Sequence, residues 1–521
     1  MTSDSENTVS VWMATAEAST PLHPLAENID ADVCIVGAGI AGMSVAYLLA
    51  REGQKVVVLD DGKIGGGMTE RTTAHLVCAL DDRYFDLESL HGEKGTRLAA
   101  ESHAAAVDMI EKIAGDENID CEFERLDGYL FVPPDESTKI LDDELKATHR
   151  AGLTETEIVK RALLESFDTG RALRFPNQAQ FHPLKYLRGL EAAITRLGGR
   201  IYTGTHAAKI EGGKDARVET ESGLIVTARH IVVATNTPVN DRVAIHTKQA
   251  PYVTYVIGAR IPRGSVTRAL YWDTPDPYHY VRLETIKKDD DANAYEVLIV
   301  GGEDHKTGQA EDFEARYKRL EDWTRERFPM IESIDYRWSG QVMEPVDGLA
   351  FIGRNPLDAD NVYIATGDSG NGMTHGTIAG ILLTDLIMGR GNAWEKIYDP
   401  SRISLKSAKD WASENLNVAA QYTDLVTGGD VDSVDEIKAG EGAIIRRGLQ
   451  KIAAYRDESG ALFERSAVCT HLGCIVDWNT NEKTWDCPCH GSRFSCEGKV
   501  IQGPANTDLS AVESKESEGA K

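Results

Sequence analysis

Two short segments near the C-terminal end of this 521-residue chain bring soft metal ligands together. They are Cys469-Thr470-His471-Leu472-Gly473-Cys474 and Cys487-Pro488-Cys489-His490-Gly491-Ser492. Cys-x-His followed by Cys-x-x-His offers two thiolates and two imidazoles on paired loops, a donor set for zinc or for an iron–sulfur centre. Of eight cysteines, five lie between Cys469 and Cys496, so cysteine use is local and metal-directed rather than a framework of disulfides. Cys34, Cys78 and Cys121 are scattered and read as plain core or surface thiols.

A second chemical signal lies at the other end. Val33-Cys34-Ile35-Val36 is a short apolar run of the kind found in buried parallel strands. Gly37-Ala38-Gly39-Ile40-Ala41-Gly42 follows, then a helical pattern over 43–51, then Val56-Val57-Val58-Leu59 ending in Asp60. This strand, G-x-G-x-x-G, helix, strand and acid order predicts a dinucleotide site. Gly37 permits the tight turn, Gly39 lets the backbone approach a pyrophosphate, and Gly42 lets the helix pack on the strand. The helix N-terminus then faces the phosphates and Asp60 is placed for a ribose hydroxyl. The motif alone does not choose between NAD and FAD.

The two metal-ligand segments are near copies of each other, and they resemble the Rieske family over roughly the last hundred residues. The resemblance implies a [2Fe–2S] cluster with Cys469 and Cys487 on one iron and His471 and His490 on the other. It also implies a disulfide between Cys474 and Cys489 and a hydroxyl donor at Ser492, which raises the potential. Phe494 stands where many high-potential members carry Tyr, and Gly503-Pro504-Ala505 resembles the proline loop shielding the cluster. Three other stretches resemble the D-amino-acid oxidase-like (DAO) superfamily: 65–75 with Arg71, Thr72, Thr73 and His75; 231–236; and 361–374 with Gly367, Gly370, Asn371, Gly372, Met373 and Thr374. That likeness covers about 32–402 and implies FAD, with the last helix start pointing N–H groups at the flavin.

These motifs require particular elements around them. The expected fold is an α/β, Rossmann-like FAD-binding module with an α+β substrate domain, followed by an all-β Rieske domain. The boundaries drawn are an N-terminal extension over 1–30 and FAD-binding parts near 31–85, 185–245 and 345–402. A substrate domain is drawn over 86–184 and 246–344, a linker over 403–425, the Rieske domain over 426–506 and a disordered tail over 507–521. Helices are expected at 91–113, 142–151, 155–164 and 311–328, the last with a solvated face, and antiparallel strands at 252–257 and 296–300. The net charge of −27 argues against nucleic acid, and no run of eighteen apolar residues predicts a membrane span. The first thirty residues lack a secretory or twin-Arg pattern, which points to the cytoplasm.

DAO-like enzymes pass a hydride from a C–H beside an amine to flavin. A one-electron cluster on the same chain therefore implies a dehydrogenase of an amine or amino acid with an external acceptor, a protein or a quinone. The alternative is an electron-transfer or redox-sensing protein with no small substrate. A Rieske oxygenase is disfavoured, because no upstream set of two His and a carboxylate is visible. Tyr278, Tyr280 and Arg282 share one face by period two, and Arg282 with Tyr280 is expected to hold a substrate carboxylate. His305 and Gln341 are expected to face the flavin, and His75 to stand behind the residues touching it or to anchor it covalently. The cluster's histidine edge is expected to be open to a partner.

Overall fold

The computed structural model describes residues 7–17, 21–134, 136–240, 244–286, 294–404 and 406–512. One mixed sheet of eight strands carries the dinucleotide motif. Its main path runs Phe351–Arg354, Val362–Thr366, Ile225–Val233, Ile29–Val36, Val56–Leu59, Arg200–Tyr202. The five strands from Val362–Thr366 to Arg200–Tyr202 are parallel to one another. Val33, Cys34 and Ile35 have no exposed surface, as expected of a strand covered on both faces. Gly37 has φ 106°, and a Cβ there would lie 2.4 Å from Ala234 O. A Cβ on Gly42 would lie 1.9 Å from Gly37 O, so only glycine lets the helix Ile40–Arg51 seat on the turn.

A nine-stranded, largely antiparallel sheet stands over this unit. Its long strands are Gln249–Ile261, Tyr295–Lys306 and Ser333–Pro345. The helix Phe313–Arg327 buries Phe313, Tyr317, Leu320 and Thr324 against it, so one face of that charged helix is core rather than solvated. The helix expected at 142–151 is Lys139–Arg150. The one expected at 91–113 runs Tyr84–Asp116, bent at Gly92. The chain ends in two small antiparallel sheets. The first holds Glu441–Arg447, Gln450–Arg456 and Leu462–Ser466; the second holds Asp477–Asn479, Thr484–Asp486, Arg493–Ser495 and Val500–Gln502.

Two expectations fail in this part of the description, the helix at 155–164 and the disorder of the tail from its first residue. Residues 155–164 are not helical: Glu157–Val159 is a strand pairing with Ala172–Gln180, because β-branched Ile158 and Val159 and a waiting partner outweigh local helix propensity. The N-terminal extension is docked on the core. Ser10 caps the helix Val11–Thr15, and Trp12 is fully buried with its Nε1 donating to Thr72 O. The tail is ordered through its first part. Leu509 is buried, Leu509 N donates to Gly498 O and Ala511 bridges to Arg465. Residues 513–521 lie outside the described residues.

Candidate active site and cluster site

A cavity of about 1360 Å³ opens between the two large sheets. Gly37, Gly39, Asp60, Arg71, Thr72, Thr73, Gly367, Gly370, Asn371, Gly372 and Met373 line it. Asp60 accepts from Ala38 N at 2.6 Å and Gly62 N at 2.8 Å. Burial, then the Asp61 charge, pushes its carboxyl up to about 7. The helices Ile40–Arg51 and Gly372–Ile387 both begin at this cavity without a side-chain cap. Two uncapped helix starts, a glycine turn and a carboxylate fit a dinucleotide that brings its own anionic groups. Gly42 and Thr374 stand behind this wall. The Thr374 hydroxyl donates to Asn371 O and meets His103 Nδ1 at 2.8 Å.

The expected substrate residues separate. Tyr278 and Tyr280 line the cavity, and Tyr280 OH lies 2.6 Å from Thr254 Oγ1. Arg282 does not reach it. Its guanidinium is 1% exposed, donates to the carbonyls of Thr73, Ala74 and Phe181, and pairs with Glu284 at 2.5 Å. The period-two argument placed Arg282 beside Tyr280 but could not see these carbonyls absorbing its donors. His305 also turns away, stacking on Tyr255 with centroids 5.6 Å apart, and burial pulls it down to about 4. His75 and Gln341 do line the cavity. His75 is pulled to about 3, first by burial and then by the Arg282 charge, and its Nδ1 lies 3.1 Å from Thr73 Oγ1.

A set of acids escaped sequence reasoning. Asp81, Asp82, Asp304, Glu344 and Asp368 all line the cavity. Burial raises each: Asp81 to about 7, Asp304 and Asp368 to about 6, Glu344 well above its ordinary value, Asp82 upward. They come from four separated stretches and form no motif, so only the fold collects them.

The second site is compact. Cys469 and Cys487 are each 2% exposed and hydrogen-bond to each other. The Cys469 thiol is held below its ordinary value first by that bond, against burial, with help from the N–H of His471 and the Ser492 hydroxyl. The rings of His471 and His490 stand 5.0 Å apart, and the buried Nδ1 of His490 has no hydrogen-bond partner. Cys474 and Cys489 form a disulfide joining the two loops, and Ser492 Oγ accepts from Ala505 N at 2.9 Å. Two thiols, two imidazoles and an unpaired ring nitrogen fit a [2Fe–2S] cluster.

The profile of the FAD dependent oxidoreductase family (DAO) matches residues 32–386, and that of the Rieske [2Fe-2S] domain matches 429–513. The chain belongs to the FAD dependent oxidoreductase family. It binds FAD in its DAO part and a [2Fe–2S] cluster in its Rieske domain. The putative Rieske 2Fe-2S iron-sulfur protein YhfW of Bacillus subtilis (strain 168) is 33% identical over 495 residues, 94% of each chain. Gamma-glutamylputrescine oxidoreductase of Escherichia coli (strain K12) is 28% identical over 402 residues, 74% of this chain and 90% of its own. Glycine oxidase from Geobacillus kaustophilus shares the fold with a TM-score of 0.58 at 17% identity, covering 72% of this chain and 100% of that one. Among the described residues no helix is long and apolar enough to cross a membrane.

The DAO part and the Rieske domain meet through buried polar contacts. Arg71, expected at the flavin, contributes to the cavity wall but sends its guanidinium to Glu482 of the Rieske domain at 3.4 Å. Glu482 is fully buried and also accepts from Thr8 Oγ1 and Ser339 Oγ, at 2.6 and 2.5 Å. Gln341 Nε2 donates to Gly491 O at 3.0 Å, and Gln502 Nε2 to Gln341 Oε1 at 2.5 Å. The histidine edge is less open than expected: His490 is buried, while His471 is half-buried. The ring of His246, in the DAO part and 3% exposed, packs 4.8 Å from His471 and 5.9 Å from His490.

Proposed function

We propose that this flavoenzyme is a dehydrogenase of a cationic amine whose electrons leave singly through the Rieske cluster to an external acceptor, a protein or a quinone. One observation carries the reading: Gln341 touches both the flavin cavity and, through Gly491 O, the cluster loop. Bound FAD would supply a two-electron acceptor for hydride from the C–H beside an amine nitrogen, and the cluster a one-electron carrier.

The chain's own residues support an amine over an amino acid. Of the lining arginines, Arg71 is turned to Glu482 and Arg83 sits beside Asp82 and Asp86, while Arg282 is spent on backbone carbonyls. Asp304 offers a carboxylate with an unpaired Oδ1. Tyr278 and Tyr280 give aromatic walls for an alkyl chain. An amine must lose its proton before it gives up hydride. Asp81, poised near neutrality and hydrogen-bonded by Tyr278, is placed to take it. The name of the gamma-glutamylputrescine relative is consistent with an amine.

The deciding experiment is anaerobic mixing with a panel of mono- and diamines, N-methyl amino acids and amino acids, followed optically and by EPR. Flavin bleaching by amines, followed by cluster reduction, is the expected result. Bleaching by no compound would favour an electron-transfer or sensing protein, and bleaching without cluster reduction would remove the relay.

A further inference from the structure

The Rieske domain supplies part of the cavity wall. Val500, Ile501, Gln502, Gly503, Ala505 and Asn506 line the same cavity as Gly37 and Asp60. Their place within it is fixed by hydrogen bonds. Asn506 Nδ2 donates to Ala207 O at 2.9 Å and to Ala208 O at 3.3 Å. His206 Nε2 lies 3.2 Å from Asn506 O; a carbonyl only accepts, so that nitrogen carries the proton. The other ring nitrogen of His206 lies 3.6 Å from Asp61, and Thr205 N donates to Asp60 O at 2.7 Å. The segment therefore covers the end of the cavity that Asp60 marks. It is also tied to the cluster loop, through Ala505 N and the Ser492 hydroxyl.

We propose that residues 500–506 of the Rieske domain are part of the FAD-binding site, closing it over the adenosine half of the dinucleotide. Flavin is then retained only while the Rieske domain is docked, and by reciprocity bound flavin holds that domain in place. The inference rests on FAD binding and not on the direction of electron flow.

The test uses full-length holoprotein and reads flavin release after dilution by the fluorescence of free flavin, with cluster EPR recorded on the same samples. Asn506→Ala and Asn506→Asp each remove the donor to Ala207 and Ala208, and each should speed release about tenfold, the worth of one or two hydrogen bonds. Gly503→Val should act more strongly, since a Cβ there already lies 3.1 Å from Val239 Cγ1 and 3.2 Å from Thr237 O. The cluster signal should be unchanged in the Asn506 variants. Leu449→Ala, at an exposed position of the same domain, should release flavin as the parent does. Release at the parental rate from both Asn506 variants, with the cluster intact, would overturn the proposal. A parent protein that binds no flavin would instead refute the cofactor assignment.

Discussion

An ammonium ion entering the cavity would meet Asp304, whose carboxyl burial pushes up to about 6. The charged form that attracts a cation exists above that value and is lost below it. The kcat/KM for an amine should therefore fall as pH drops through about 6. In Asp304→Asn the step near 6 should disappear and leave the one that Asp81 sets near 7, with kcat/KM lowered by roughly 100-fold, the scale of a lost charge-assisted hydrogen bond of about 3 kcal/mol. A pH profile of both proteins checks this, and an unchanged acidic limb would remove Asp304 from the site. At the cluster, His490→Ala is expected to abolish the Rieske EPR signal and lower iron and acid-labile sulfide, because its buried, unpartnered Nδ1 fits a cluster ligand. Full iron and sulfide content with an unaltered spectrum would contradict that assignment.

At the scale of elements, the cavity that fits the flavin dinucleotide is bordered by two helix starts and the turn between strand and helix. A Cβ at Gly39 would meet only Thr69 Oγ1, at 3.1 Å, so a larger side chain grows into the cavity instead of the core. Gly39→Val should fold and lose FAD, measured as the flavin-to-protein absorbance ratio. Gly42→Val is different in kind, since its Cβ would fall on Gly37 O and the helix itself must move. That variant should lose both FAD and thermal stability. Comparing the two melting curves separates a cofactor contact from a packing contact.

For the whole molecule, the buried ion pair between Arg71 and Glu482 links the flavin loop, the N-terminal segment, the large antiparallel sheet and the Rieske domain. Glu482→Gln would remove the negative charge that faces the buried Arg71 guanidinium across the domain contact, at a cost of up to about 3–5 kcal/mol. The expected outcome is a lower Tm and a calorimetric transition that splits in two as the Rieske domain melts separately. A single transition at the parental temperature would show the pair to be dispensable for docking. Because the cluster edge is packed in part against His246, an acceptor can approach it directly only on the side of the half-buried His471.

That Cys469, His471, Cys487 and His490 would gather at one place, and that the glycine turn with Asp60 and the Gly-rich helix start at 372 would border one cavity, was legible in sequence. Each is a local constellation in which a metal or phosphate demands fixed residue types at fixed spacing. The strand 33–36 was legible as a continuous apolar run and the helix 313–327 as an element, although the buried face of that helix was not. The fate of Arg282 and His305 was not. Period two tells which side of a strand a residue takes but not whether carbonyls from 73, 74 and 181 or the ring of Tyr255 await it there. Nor could spacing reveal that Asp81, Asp304, Glu344 and Asp368 converge, that 157–159 finds a strand partner, or that 500–506 closes a cavity begun at Gly37. These are contacts between stretches far apart in the chain, and only the packing of one sheet on another decides them.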